Sequence, residues 1–160
     1  MTTTRTHETE IVVDTEVPLV RIVREFDASA DQVFRAHADP GLLARWLGPS
    51  AHECRIEHWD FRTGGSYRYL IGGADFEAGF NGVFHEVRPA ELIVQTFAFE
   101  GMPDGVALEK LRFEDLGGGR SRLTSTSLVD SFADRDAFVA SGMESGVVQG
   151  YLALDALLAG

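Results

Sequence analysis

The sequence predicts a single α+β domain, in which a strand, two short helices and a six-stranded antiparallel meander precede a long C-terminal helix. Between residues 52 and 128, strand-like runs alternate with short breaks that are rich in Gly, Pro and Asp. Short links join antiparallel neighbours, because a parallel pair needs a long crossover. After residue 141, apolar residues instead recur at spacings of three and four, the period of one helical face.

Residues 1–16 are polar and rich in Thr, and they indicate a flexible tail or a weak edge strand. The domain proper is predicted to span residues 17–160. Its first strand is the alternating run at 18–26, where apolar and polar side chains face opposite ways.

Two signatures predict the short helices. Ser29 and Gln32 have the spacing of a capping box, in which each side chain accepts from the backbone of the other. Asp39 followed by Pro40 starts a second helix, because Pro at the first helical position loses no needed donor. The Gly-Pro pair at 48–49 is predicted to end it.

The positions of the breaks predict the strands of the meander, and the spacing of apolar residues predicts the long C-terminal helix. The predicted strands lie at 52–62, 66–72, 77–88, 91–99, 106–115 and 120–128. A short helical segment follows at 131–140, and Ser141 with Glu144 predicts a second capping box that opens the long helix. One apolar face of that helix comprises Met143, Val147, Tyr151, Leu154 and Leu158.

Three glycines recur every four residues in this helix, at Gly142, Gly146 and Gly150. An interior glycine costs a helix about 1 kcal/mol relative to alanine. Two interpretations explain them: close approach by the sheet or another helix, or room for a ligand beside Val147 and Tyr151.

The composition excludes several classes of partner. The net charge is −11 at pH 7, and the 14 basic residues are scattered, whereas nucleic acids and anionic membranes require clustered Lys and Arg. No apolar run approaches the roughly 20 residues that cross a bilayer. A single cysteine suits a reducing compartment, so a cytoplasmic location is expected.

The stretch RWLGPSAHECRIEHWD at 45–60 suggests a metal or thiol site, but strand geometry argues against one. At about 3.3 Å per residue, His52 and His58 lie about 20 Å apart, and Cys54 and His58 about 13 Å apart. Ligands of one ion lie only about 4 Å from each other. No metal and no cofactor are therefore predicted, and Cys54 is interpreted as a small core residue rather than a nucleophile.

Polar residues within the strands are the better candidates for a ligand site. His58 and His85 lie among aromatic and aliphatic neighbours, where each could orient a ligand in a cavity or simply face solvent. For His37, a position near a helix C-terminus is sufficient explanation. Glu109 and Glu144 are further candidate cavity acids.

Several motifs resemble a known family. They include Trp-x-Gly-Pro at 46–49, Arg-Thr-Gly-Gly at 62–65 and Arg-Pro at 88–89. Together with the flanking stretches, they resemble bacterial proteins similar to the activator of the ninety-kilodalton heat-shock-protein ATPase, within the START-related SRPBCC superfamily. The resemblance implies a helix-grip fold, in which a curved antiparallel sheet wraps a long C-terminal helix and two short helices follow the first strand. It also implies a cavity for a hydrophobic or amphipathic small molecule, and no shared catalytic residues.

The predicted function is the binding of a small hydrophobic or aromatic ligand in a cavity between the sheet and the C-terminal helix. The candidate lining residues are Trp46, His58, Tyr69, Phe84, Phe97, Met143, Val147 and Tyr151. One alternative is an enzyme of the cyclase, dehydratase or hydrolase type that uses a cavity His or carboxylate as general acid–base. Another is a chaperone-interacting module with a role in stress response, and either a monomer or a homodimer is compatible with the sequence.

Overall fold

The computed structural model describes residues 7–47, 52–73 and 75–160. The strands among these residues are β1 Glu10–Val13, β2 Leu19–Phe26, β3 Glu53–Trp59, β4 Ser66–Gly72, β5 Glu77–Arg88, β6 Leu92–Phe99, β7 Val106–Gly117 and β8 Arg120–Leu128. The helices are α1 Ala30–Ala38, α2 Pro40–Trp46, α3 Phe132–Ala140 and α4 Met143–Ala159.

All of these strands join one antiparallel sheet in the order β1-β2-β8-β7-β6-β5-β4-β3. The sheet is curved and unclosed, with β1 and β3 at its edges. Strands β3 to β8 follow one another as the meander that the sequence predicts. The strand β2 then pairs with β8, so the first strands of the domain join the last strand of the meander near the β1 edge of the sheet.

The starts of the short helices follow the predicted capping. The Ser29 hydroxyl accepts from the Gln32 backbone N–H at 3.2 Å, and the Ser29 N–H donates to Gln32 Oε1 at 2.9 Å. The Asp39 carboxylate accepts from the N–H groups of Gly41 and Leu42 at the start of α2. The predicted Gly-Pro stop at 48–49 lies outside the described residues, as do the first six residues of the predicted tail.

The predicted capping box at Ser141 and Glu144 is wrong. Ser141 instead ends α3, and its hydroxyl donates to the Phe138 carbonyl at 2.6 Å. Gly142 has a φ of 88°, and α4 begins at the next residue without a side-chain cap. Glycine adopts this left-handed conformation at no steric cost, so only Ser141 and Gly142 separate the two helices.

The predicted apolar stripe of α4 packs on the concave face of the sheet, which we call the inner face. Tyr151 and Leu154 are buried there, and the rings of Tyr151 and Phe26 meet edge to face at 5.5 Å. The other three residues of the stripe pack against the same core from partly buried positions. The helix-grip prediction is therefore confirmed.

The glycines of α4 do not all serve close packing. A Cβ at Gly150 would lie 3.4 Å from the carbonyl oxygen of Trp46, at the end of α2. A Cβ at Gly146 would meet nothing within 4 Å. The close-approach interpretation therefore applies to Gly150, towards α2 rather than the sheet, and not to Gly146.

A buried ion pair ties α4 to β2. Arg24 is 1% exposed, and its guanidinium donates to both carboxylate oxygens of Asp155 at 2.9 and 2.5 Å. The same side chain donates to the Glu25 carbonyl and lies over the Phe26 ring. Because a buried guanidinium without a counter-charge is strongly disfavoured, this pair holds α4 in place.

Asp155→Asn should destabilise the domain by about 3 kcal/mol. This is the lower end of the usual cost of breaking a buried pair, because the Asp155 side chain is 32% exposed. Urea unfolding measures the difference. The control is Asp136→Asn, since Asp136 is 70% exposed in its pair with Arg135 and should cost less than about 1 kcal/mol. Equal losses in the two variants would show that the Arg24 pair has no special role.

Candidate functional site

A polar row crosses the inner face of the sheet beneath α4. Gln95 on β6, Glu109 on β7 and Ser127 on β8 stand directly opposite one another in the strand register. Gln95 Nε2 donates to Glu109 Oε1 at 3.0 Å, and Ser127 Oγ donates to Glu109 Oε2 at 2.6 Å. Both carboxyl oxygens are therefore held in place by the neighbouring strands.

The carboxyl group of Glu109 favours its neutral form. Burial raises its pKa, because a carboxylate is poorly solvated between the sheet and α4. The hydrogen bonds from Ser127 and Gln95 act in the opposite direction and do not outweigh burial. Glu109, at the centre of the row, therefore stays protonated up to a higher pH than an exposed glutamate does.

The chain's three tyrosines surround this row. Tyr67 and Tyr69 project from β4 and Tyr151 projects from α4, and each is almost fully buried. Burial raises the pKa of each phenol, and the nearby charge of Glu109 adds to the effect. All three hydroxyls therefore remain hydrogen-bond donors at any physiological pH.

The three hydroxyls differ in their partners. Tyr67 reaches across β5 and donates to the Thr96 carbonyl at 2.6 Å. A Cβ at Gly82 would overlap both groups of this hydrogen bond, so only glycine lets the ring cross there. Among the described residues, the hydroxyls of Tyr69 and Tyr151 have no hydrogen-bond partner and are not fully shielded from solvent, so both donors are free.

Aromatic rings enclose the free hydroxyls. Tyr69, Phe80 and Phe97 form a stacked series with centroids 5.4 Å apart at each step. On the helix side, the Trp46 ring lies 6.2 Å from that of Tyr151, and its indole N–H donates to the Ala36 carbonyl. The surroundings of the polar row are therefore apolar and largely flat.

Seven of the eight candidate lining residues lie in this region. They are buried in the inner-face core or packed against it, namely Trp46, Tyr69, Phe84, Phe97, Met143, Val147 and Tyr151. They come from α2, three strands and α4, so the fold gathers residues that are distant in the sequence.

The eighth candidate, His58, does not point inwards, and this part of the prediction is wrong. A β-bulge between Ile56 and His58 shifts the register by one residue, which moves the side chains beyond it to the opposite face. His58 is exposed and its Nε2 lies 2.9 Å from Ser66 Oγ. Trp59 takes the inward position and packs against Tyr67 and Phe84.

Of the other polar candidates, Glu109 lies on the inner face, and His85 and Glu144 lie outside it. His85 is exposed next to the bulge in β5, and Glu144 is exposed in the first turn of α4. Cys54 faces inwards, but burial raises the pKa of its thiol to about 11, so it is not an activated nucleophile. Among the described residues, no three His, Cys, Asp or Glu side chains are arranged to hold a metal ion.

His37 is a core residue, whereas the sequence suggested only a position near the end of a helix. His37 is buried, its Nδ1–H donates to the Val33 carbonyl at 2.8 Å, and its ring contacts Trp46 and Phe113. Burial lowers its pKa to about 4, so His37 is uncharged at neutral pH and forms part of the core. Its four-residue spacing from Val33, on the apolar face of α1, could have indicated this.

Two surface grooves lie away from the polar row. One, of about 400 Å³, is lined mainly by β3, β4 and β5 residues such as Arg55 and Glu77. The other, of about 320 Å³, lies between α2 and α4 beside Arg45 and Leu157. Neither borders Glu109 or the free tyrosine hydroxyls.

A curved antiparallel sheet around a C-terminal helix defines a helix-grip protein of the SRPBCC class, whose domains are ligand-binding or regulatory. Residues 27–159 match the family described as "Activator of Hsp90 ATPase homolog 1-like protein", and the chain belongs to this family. No curated protein gives a significant match. Within the described residues, no helix is both long and apolar enough to span a membrane.

Solved bacterial structures share this fold. Protein Ms6760 from Mycobacterium smegmatis is 23% identical with a TM-score of 0.85, over 94% of this chain and 96% of that chain. A protein from Arthrobacter aurescens is 27% identical with a TM-score of 0.85, over 94% and 91%. Protein CV1439 from Chromobacterium violaceum is 28% identical with a TM-score of 0.74, over 88% and 96%.

Glu109→Gln should gain stability relative to the wild type as the pH rises. Because the folded-state pKa of Glu109 is raised, its favourable contribution is complete below the unfolded pKa and is lost as pH rises through the folded value. The amide cannot ionise, so it avoids this loss. Urea unfolding of both proteins at about pH 5 and about pH 8 measures the change, and the titration of His37 cancels between them.

The matched control is Glu114→Gln, which removes an exposed carboxyl from the same strand. Its stability relative to the wild type should be nearly the same at both pH values. A Glu109→Gln difference that does not grow with pH would contradict a raised pKa of Glu109.

Proposed function

We propose that this protein binds a small, uncharged, largely apolar molecule between the inner face of the sheet and α4. The observation that carries the proposal is the pair of free hydroxyls on Tyr69 and Tyr151, whose residues are only 8% and 7% exposed. A hydrogen bond to a free donor contributes about 0.5–1.5 kcal/mol. A ligand with acceptor oxygens would satisfy these donors.

The surroundings of these hydroxyls favour a flat molecule. The stacked series of Tyr69, Phe80 and Phe97 offers ring faces, and aromatic pairs gain about 0.5–1.5 kcal/mol beyond the area that they bury. Apolar walls with a few convergent polar groups are typical of small-molecule sites.

The charges of the region favour an uncharged ligand. Burial raises the pKa of Glu109 and so disfavours a charge there, and the guanidinium of Arg24 is already paired with Asp155. An anionic or cationic ligand would lose its hydration without meeting a free counter-charge, which is costly. A ketone, quinone or phenol group on a ring system has the required chemistry.

Removal of either free hydroxyl should weaken binding without loss of stability. Nile red, an uncharged and flat dye with a carbonyl oxygen, serves as the probe, and its fluorescence titration gives the Kd. Tyr69→Phe and Tyr151→Phe should each raise the Kd roughly three- to tenfold, the equivalent of one hydrogen bond. Their melting temperatures should equal or exceed that of the wild type.

Tyr67→Phe is the matched control, because the Tyr67 hydroxyl already has a partner in the Thr96 carbonyl. This variant should lose stability by about 1 kcal/mol and keep the Kd of the wild type. The proposal fails if all three variants bind the dye equally well.

Catalysis by Glu109 is the second candidate function. A general acid must be protonated at the working pH. Burial raises the pKa of Glu109, and Glu109 lies on the inner face, whereas His58 and His85 are exposed. Native mass spectrometry of the wild type and Glu109→Gln, purified from the same host, separates the candidates. A different bound mass in the variant would support catalysis, and the same bound mass in both would support binding alone.

A further inference from the structure

The convex face of the sheet, which we call the outer face, carries three cations without an ion-pair partner. They are Arg21 on β2 and Lys110 and Arg112 on β7, and none of them forms an ion pair with a described residue. Most other arginines of the sheet are paired, for example Arg68 with Glu100 and Arg122 with Glu114. In a chain of net charge −11, such a group of unpaired cations is unusual.

The strand register brings these cations together. Arg21 and Lys110 both stand opposite Thr126, on either side of β8. Two strand spacings separate them by about 10 Å, and the two-residue step along β7 separates Lys110 from Arg112 by about 7 Å. Asp14 is an acidic residue close enough to Arg21 to interact with it. Hydrogen bonds from the backbone N–H groups of Val17 and Glu16 are the main cause of the lowered pKa of Asp14, and the positive charge of Arg21 adds a smaller effect.

An apolar row runs beside the cations. Leu128 stands opposite Leu108 on one side and Leu19 on the other. Leu108 and Leu128 are each 38% exposed, and Val106 extends the apolar surface along β7. The outer face thus presents leucine side chains next to three positive charges, the combination that an amphipathic acidic partner would match.

We propose that this outer-face patch, formed by Arg21, Leu108, Lys110, Arg112 and Leu128, docks an acidic segment of another protein that also carries apolar side chains. The inference goes beyond ligand binding, because it concerns the opposite face of the sheet. Isologous pairing of two copies through the patch would bring like charges together. An anionic bilayer would attract the patch but repel the remaining surface, which is strongly acidic.

Selection from a random peptide library on the full-length protein tests the proposal. The overall charge of −11 favours basic peptides, so enrichment of Asp and Glu together with Leu, Ile or Phe would report the patch specifically. The tightest acidic peptide is then titrated against the double variant Lys110→Glu/Arg112→Glu. We expect its Kd to rise roughly tenfold or more, and added salt to weaken the wild-type complex.

The control variant, Arg35→Glu/Arg45→Glu, makes the same change in net charge on the exposed surfaces of α1 and α2. It should bind the peptide within about twofold of the wild type, and melting temperatures confirm that both variants fold. The proposal is overturned if basic or uncharged peptides are enriched, or if the control weakens binding as much as the patch variant. It is also overturned if the patch instead binds vesicles of anionic phospholipid, or if sedimentation shows a dimer that Leu108→Asp dissociates.

Discussion

The placement of α4 over the sheet is the constraint on which the rest of the structure depends, and the Arg24–Asp155 pair is its strongest polar contact. With α4 in place, Glu109 is removed from water and its pKa rises. The same placement encloses the Tyr69 and Tyr151 side chains in the core and leaves their hydroxyls without partners among the described residues. Without the helix, each of these groups would be hydrated, and the inner face would have no preference for one ligand over another.

The polar groups beneath α4 divide into those that the fold satisfies and those that it leaves free. Tyr67 and Gln95 are satisfied by the Thr96 carbonyl and by Glu109. The two tyrosine hydroxyls are the groups that the fold leaves free to donate to a bound molecule. Their neutral donors and their aromatic surroundings together select an uncharged molecule with an acceptor oxygen.

Most features that depend on local sequence were predictable, with the capping box at Ser141 and Glu144 as an exception, and features that depend on register were not. The capping box at Ser29, the meander and the apolar stripe of α4 follow from spacings of a few residues. The bulge before His58 leaves no such signal, and it reverses the face of every side chain beyond it. The sequence offered Glu109 and Glu144 equally as cavity acids and could not distinguish them, because the partners of Glu109, Gln95 and Ser127, lie on other strands and meet it only through the cross-strand register.

Fluorine NMR tests the central claim most directly, since the chain has only three tyrosines and all of them lie beneath α4. Protein labelled with meta-fluorotyrosine should give three resonances, which substitution of each tyrosine assigns. On titration with Nile red, the Tyr69 and Tyr151 resonances should shift in a saturable manner, with the same Kd as the dye fluorescence, and the Tyr67 resonance should shift less. Saturable dye binding that leaves the Tyr69 and Tyr151 resonances unchanged would show that the ligand site lies elsewhere.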